Sequence, residues 1–208
     1  MLKVLILGLT VVVFAGCGPG SLLLKPTLGE ISDYSNELDD WTITQNVYDS
    51  FDTRAVVHAT FYSPRFIAAY LDEYKRIYRP TSDEFAMVKE KMDGRANRAD
   101  CFFMAVFTGN RDWNDFALSG SIWRVYLVTS DGRKLKAMPI REVKDSNQLY
   151  HHFFPYFDPF YEGYEVCFSQ SVSEGADSAG LIHEGMQWFE FQLLSPIGEM
   201  QFRWQLKR

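Results

Sequence analysis

The C-terminal end of the chain carries the pattern that most restricts its fold. Apolar residues occupy every second position before and after a turn at 195–198: Phe189, Phe191, Leu193, Met200, Phe202, Trp204 and Leu206. Two runs with a period of two, joined by a short turn, predict an antiparallel ribbon with one buried and one solvent-facing face. The buried face needs a second layer to cover it, which favours a layered, β-rich fold.

Further strand patterns precede this ribbon. β-branched and aromatic residues are concentrated in several short runs, and one run is apolar almost throughout: 42–48, 54–62, 101–108, 121–129, 134–143 and 160–169. Asp131-Gly132, between two of these runs, predicts a hairpin in which both central residues have positive φ. A short helix is predicted at 146–154.

One region has helical periodicity instead. Ser63 is placed to cap the start of a helix, and Thr81 with Glu84 predicts a capping box for a second one. Gly94 is the expected stop of that second helix. Residues 64–93 are therefore predicted to form a helical hairpin inserted between strands.

Together these patterns predict about eight strands without the βαβ alternation of nucleotide-binding folds. We therefore expect a mainly β (α+β) protein, an antiparallel β-sandwich-like single domain at 41–208 with the helical hairpin as an insertion. A hydrophobic content of 47% and an aromatic content of 16% suffice to build its core.

The first residues have the features of an export signal. Lys3 precedes an apolar run at 4–14, and the small residues Ala15 and Gly16 follow. The run is shorter than the roughly 20 apolar residues that a membrane-spanning helix needs. Residues 1–16 are therefore predicted to be a cleaved signal peptide.

The residues around the cleavage position, Phe14-Ala15-Gly16-Cys17, resemble the lipobox of bacterial lipoproteins, with Phe14 where that pattern has leucine. The resemblance implies cleavage before Cys17 and lipid on this cysteine, whose acyl chains hold the protein to a membrane. Gly18 in place of aspartate implies the outer membrane rather than the inner. Residues 17–40 are then the expected lipidated N-terminus and tether.

Two cysteines remain beyond Cys17. Cys101 and Cys167 both lie in predicted strands, and an even pair in an exported protein allows a disulfide. Cys167 is expected to share a strand face with Glu165. Two buried free thiols are an equally good interpretation.

Charge and motifs argue against several classes of function. The formal net charge of −6 gives no electrostatic footprint for nucleic acid. There is no phosphate-binding glycine loop, no Gly-x-Ser-x-Gly elbow and no Cys-x-x-Cys pair. Adjacent His151 and His152 point apart, and the acidic loop at 110–115 lacks the spacing of an EF-hand. No catalytic residue, metal site or cofactor is predicted.

The most unusual stretch is 153–161, in which six of nine residues are aromatic and two are proline. Aromatic side chains on loops are favoured at protein interfaces and on sugar-binding surfaces. The candidate binding surface consists of Phe154, Tyr156, Phe157, Phe160 and Tyr161. The alternative is that the segment closes one end of the core with its rings buried.

Three functions are compatible with these features. The leading hypothesis is a non-catalytic accessory module that binds an envelope protein while its lipid holds it at the membrane. The second is a module that binds a glycan or another small ligand through the aromatic surface. The third is an envelope hydrolase whose residues, such as His58, His151 and acidic groups, meet only in the folded chain.

Overall fold

The computed structural model of the chain describes residues 33–144, 148–170, 182–183 and 185–206. The predicted signal peptide, Cys17 and the predicted tether up to residue 32 lie outside the described residues. In the described part, four α-helices accompany nine strands in two antiparallel sheets. The expected mainly β, sandwich-like α+β fold is confirmed.

The strands follow one another along the chain as β1 (Thr42–Asp49), β2 (Asp52–Phe61), β3 (Ala99–Thr108), β4 (Arg124–Thr129), β5 (Lys134–Lys136), β6 (Arg141–Val143), β7 (Glu162–Ser169), β8 (Trp188–Ser195) and β9 (Gly198–Gln205). Sheet A has five strands in the spatial order β1-β2-β3-β7-β6. Sheet B has four, in the order β5-β4-β8-β9. The helices are α1 (Asp33–Trp41), α2 (Pro64–Tyr78), α3 (Ser82–Ala96) and α4 (Gln148–Phe153).

The main core lies between the two sheets. Alternate residues of β8 and β9 point inward, as their period of two predicted, and they meet the inner face of sheet A. Phe102 of β3 stacks on Phe191 of β8 with ring centroids 4.9 Å apart, and neither is exposed. Burying a phenylalanine side chain stabilises a fold by about 1.5–3 kcal/mol, so these rings contribute strongly to the packing of the two sheets on each other.

The helices cover the opposite face of sheet A and enclose a second core. Ser63 caps α2 by accepting a hydrogen bond from the Phe66 amide at 3.0 Å, and Thr81 forms the predicted capping box with Glu84 at the start of α3. α3 continues through the expected stop at Gly94 to Ala96. None of the α3 side chains is fully buried, so this helix is only lightly packed on the sheet.

The domain begins earlier than the sequence indicated, because α1 occupies the end of the expected tether. Tyr34 and Leu38 of α1 are 6% and 7% exposed and pack in the second core. The other residues of α1 leave most or part of their surface in water, which gives the helix the polar composition of a linker. Residues 33–40 therefore belong to the domain.

The expected single strand at 134–143 is two strands in different sheets. β5 pairs with β4 in sheet B, whereas β6 pairs with β7 in sheet A. The chain crosses between the sheets at 137–140, where Pro139 has no amide hydrogen to extend a ladder.

The predicted hairpin at Asp131-Gly132 is present, but of its two central residues only Gly132 has positive φ, at 88°. A type I turn followed by a left-handed glycine accounts for this.

The sandwich is closed along one edge where β1 meets β9. The Gln45 side-chain amide donates to the Gln201 carbonyl oxygen at 3.0 Å. A Cβ added at Gly198 would lie 2.6 Å from a Val47 methyl carbon, so only glycine allows the two strands to approach this closely.

In the part of the chain that the structure describes, no helix has the length and apolarity to span a membrane.

Candidate interaction surfaces

Three connecting segments meet at one end of sheet A. β2 begins there, β3 ends there and β7 begins there, because neighbouring strands in this sheet are antiparallel. The segments are the hairpin turn at 48–52, the connection at 109–123 and the connection at 154–161. We call this region the loop end of sheet A.

Each of these three segments presents a large apolar side chain to solvent. Phe51 is fully exposed, Leu118 is 66% exposed and Phe160 is 79% exposed. Tyr48, in the same hairpin as Phe51, is 61% exposed. Single exposed apolar residues are common on protein surfaces, but their concentration at one end of a sheet is typical of an interaction site.

The hairpin and the 109–123 connection are fixed to each other at their base. The Gly109 amide donates to the Arg54 carbonyl oxygen at 2.9 Å, and the Arg54 guanidinium lies 6.0 Å from the centre of the Trp113 ring. A Cβ at Gly109 would stand 2.6 Å from the Thr53 carbonyl oxygen, so this approach requires glycine. Phe51 thus projects from a turn whose base is held in position.

The acidic loop at 110–115 uses its side chains to close its own turns. Asp115 accepts hydrogen bonds from the Ser121 hydroxyl at 2.8 Å and from the Ile122 amide at 3.0 Å. Asn110 accepts one from the Asp112 amide at 3.0 Å. Within the described ranges, no group of three or more His, Cys, Asp or Glu side chains is placed to hold a metal ion.

The aromatic segment is divided between core and surface. Phe154 and Phe157 are 1% and 2% exposed, with ring centroids 4.2 and 5.4 Å from that of Phe103. For these two residues the buried alternative is correct, and they cannot form part of a binding surface. Phe160 remains exposed, while Tyr156 and Tyr161 are half-buried.

Tyr156 and Tyr161 enclose His58 of β2. The His58 ring stacks on Tyr156 with centroids 4.8 Å apart, and its Nε2 lies 3.4 Å from the Tyr161 hydroxyl. Its Nδ1 is 2.8 Å from the Thr44 hydroxyl. Both ring nitrogens therefore have partners, which orients the imidazole.

Burial lowers the pKa of His58 below its ordinary value, and the nearby carboxylate of Asp158 partly opposes that shift. Burial also raises the pKa of Tyr161, and Asp158 raises it further. The neutral forms of both side chains are therefore favoured at neutral pH. His58, Tyr156 and Tyr161 therefore form a cluster of neutral polar side chains close to the Asp158 carboxylate.

The adjacent histidines His151 and His152 make separate contacts. His151 stacks on Phe157 at 5.0 Å and bonds through Nδ1 to the Phe157 carbonyl oxygen at 2.5 Å. His152 lies 3.4 Å from Glu73 of α2, which also pairs with Arg76 at 2.6 Å. These contacts tie α4 to α2 and to the aromatic segment.

Cys101 and Cys167 form a disulfide between β3 and β7. The two residues face each other directly in the register, with Cα atoms 4.1 Å apart. Their side chains lie on the helix-covered face of sheet A together with Glu165, as the alternation around Cys167 predicted. The two cysteines are 66 residues apart in the chain, and their spacing alone does not predict the strand register that pairs them.

A groove lies above this disulfide, near the end of sheet A opposite the loop end. It has a volume of about 670 Å³. Its lining combines apolar and cationic residues, chiefly Lys91, Arg95, Arg98, Cys101, Met138 and Cys167. No sequence motif indicated it, because its walls come from α3, β3, β7 and the crossover between β5 and β6.

Glu165 anchors one wall of the groove. The residue is 5% exposed. Its carboxylate accepts hydrogen bonds from Arg95 at 2.6 Å and from the Tyr150 hydroxyl at 3.0 Å, and it also pairs with Arg141. Arg95 is thus neutralised within the domain. The groove itself carries further positive charge from Lys91 and Arg98.

No protein-family model matches the chain, and no curated protein matches it. The chain is similar in structure to a protein of unknown function from Burkholderia pseudomallei K96243, whose crystal structure was determined at 1.90 Å resolution. The two share 12% sequence identity with a TM-score of 0.43, over 82% of this chain and 80% of that one.

Proposed function

We propose that this protein is a lipid-anchored envelope protein whose domain binds a protein partner through the loop end of sheet A. The observation that carries the proposal is the exposure of Phe51, Leu118 and Phe160 on three adjacent segments. Aromatic side chains are enriched at protein interfaces, where a few central residues supply most of the binding energy. The signal and Cys17 support the membrane anchor, with the outer membrane as the expected location.

Site-specific crosslinking in cells tests this proposal. A photoreactive amino acid replaces Phe51 or Phe160 in the full-length protein, and Met87 on α3, which is 64% exposed, is the matched control position. We expect one recurrent envelope protein to be captured from positions 51 and 160 and not from 87. The same positions in a Cys17→Ser background should capture it weakly, because the domain then lacks its anchor.

Two outcomes would overturn the proposal. Equal capture of that protein from position 87 would show that contact is unspecific. Crosslinks from 51 and 160 to lipid rather than to protein would show that the loop end contacts the bilayer itself. Labelling with a radioactive fatty acid, abolished by Cys17→Ser, tests the anchor separately.

A second function, binding of a glycan or small ligand, is favoured by one observation. Tyr161 is half-exposed beside His58, so an aromatic ring and hydrogen-bonding groups adjoin the exposed Phe160. Sugars bind to such combinations through stacking and hydroxyl contacts. A glycan array on which Tyr161→Ala removes a signal, while Phe51→Ala does not, would support this function over the first.

A further inference from the structure

We infer that the groove above the Cys101–Cys167 disulfide binds an anionic amphiphile, a single alkyl chain that carries a phosphate or carboxylate group. This site is separate from the loop end, so the inference stands or fails independently of the proposed function.

The charge of the groove indicates an anion. Lys91 and Arg98 are exposed on its rim, and neither has a carboxylate within ion-pair distance in the ranges 33–144, 148–170, 182–183 and 185–206. The chain as a whole is acidic, with a net charge of −6. Two cations without a carboxylate partner beside one groove therefore give it a charge opposite to that of the whole chain. Charged groups placed this way attract a ligand of opposite sign.

A further hydrogen-bond donor extends this cationic rim. The Asn97 side-chain amide lines the groove and can donate to oxygen atoms, whereas the Gln170 side-chain nitrogen already donates to the Ala96 carbonyl oxygen at 3.1 Å and to Asp100 Oδ1 at 3.4 Å. The Gln170 backbone amide donates to the Arg98 carbonyl oxygen at 3.2 Å, which holds the two sides of the rim together. A phosphate or carboxylate group, with several acceptor oxygens, matches this set of donors.

The floor of the groove indicates an apolar chain beside that group. The disulfide, Ala99 and Met138 form it, and Met138 is 37% exposed although its side chain is apolar. Beneath it, a space of about 10 Å³ between α2, α3 and β3 is lined mainly by Tyr62, Ile67, Met92 and Ala96. The groove volume of about 670 Å³ falls in the range of small-molecule sites, which are mostly apolar with a few polar groups.

Calorimetric titration of the folded, disulfide-bonded protein tests the inference with four probes of defined chemistry. These are octyl phosphate, octanoate, inorganic phosphate and the neutral octyl glucoside, all below their micellar concentrations. We expect one equivalent of octyl phosphate or octanoate to bind at least tenfold more tightly than either octyl glucoside or inorganic phosphate. The preference between the first two identifies the head group.

Two variant pairs locate the site. Lys91→Gln with Arg98→Gln should weaken binding at least tenfold, whereas the control pair Lys136→Gln with Arg111→Gln, which removes equal charge elsewhere, should not. Met138→Glu should weaken binding more than Met138→Gln, because only the first adds a negative charge at the floor. Equal binding of octyl glucoside, equal binding of inorganic phosphate, or equal loss in the control pair would overturn the inference.

Discussion

Tyr34 of α1 donates a hydrogen bond from its hydroxyl group to the backbone carbonyl oxygen of Phe153, 119 residues later in the chain. The two rings also meet edge to face, with centroids 5.4 Å apart. This contact joins the first described helix to the end of α4. It explains why α1 belongs to the domain although its sequence is that of a tether.

Removing the Tyr34 hydroxyl should destabilise the domain measurably. We expect Tyr34→Phe to lower the free energy of unfolding by about 1–3 kcal/mol, because the buried Phe153 carbonyl oxygen loses its partner. Urea denaturation followed by tryptophan fluorescence measures the change. Tyr48→Phe is the control, since Tyr48 is 61% exposed, and an equal loss in both variants would contradict this role of Tyr34.

The position of the domain boundary can be tested by truncation. A chain that begins at Asp33 should unfold at the same urea concentration as a chain that begins at Gly18. A chain that begins at Thr42 lacks Tyr34 and Leu38 and should lose several kcal/mol, because each buried large side chain contributes about 2–5 kcal/mol. Equal stability of the two truncated chains would return residues 33–40 to the predicted tether.

Breaking the disulfide should cost stability without changing the fold. The crosslink joins residues 66 apart, and a bridge over a loop of this length typically contributes about 2–5 kcal/mol. We expect the double variant Cys101→Ala, Cys167→Ala to lose that amount in urea denaturation and to become insensitive to reductant. If reductant leaves the unfolding midpoint of the parent domain unchanged, the bridge has no stabilising role.

Local patterns predicted much of this fold, and non-local contacts account for what they missed. The C-terminal ribbon was readable because a period of two fixes which residues of β8 and β9 are buried. The caps at Ser63 and Thr81 were readable because they involve residues three apart. The division of 134–143 between two sheets depends on which strands lie beside it in the folded chain. The spacing of apolar residues along the sequence does not contain that information.

The same difference between local patterns and non-local contacts applies to the candidate surfaces. The aromatic segment was conspicuous in composition, but burial of Phe154 and Phe157 depends on Phe103, some 50 residues away. No sequence pattern marks Phe51, because a single phenylalanine in a turn has no periodicity around it. Its significance comes from the antiparallel order of β2, β3 and β7, which brings three connections to one end.

Neutralising Glu165 should destabilise the wall of the groove. We expect Glu165→Gln to lower the free energy of unfolding by about 1.5–3 kcal/mol, since hydrogen bonds to a charged group are lost and Arg95 remains without its counter-ion. Glu199→Gln is the control, because Glu199 is exposed on β9 and such changes stay within about 0.5 kcal/mol. Similar values for the two variants would show that the Glu165 network contributes little.

The domain should lose stability as the pH falls below about 6.5, and His58 should account for part of that loss. Because burial lowers the pKa of His58 in the folded state, the unfolded chain binds a proton at this position first. Protonation therefore favours unfolding over the interval from the unfolded pKa down to the folded one. Glu73 acts in a different window: bonding to Arg76 lowers the pKa of this carboxyl, so its contribution is lost only in more acidic solution.

Urea denaturation at several pH values between 5 and 8 tests the contribution of His58. In this range the slope of stability against pH should be shallower for His58→Gln than for the parent protein. Asp158→Asn should steepen the slope, because removing the carboxylate lowers the His58 pKa further. A parent protein whose stability does not change between pH 5 and 8, or a His58→Gln variant with the parent slope, would contradict the assignment of a neutral His58 held between Tyr156 and Tyr161.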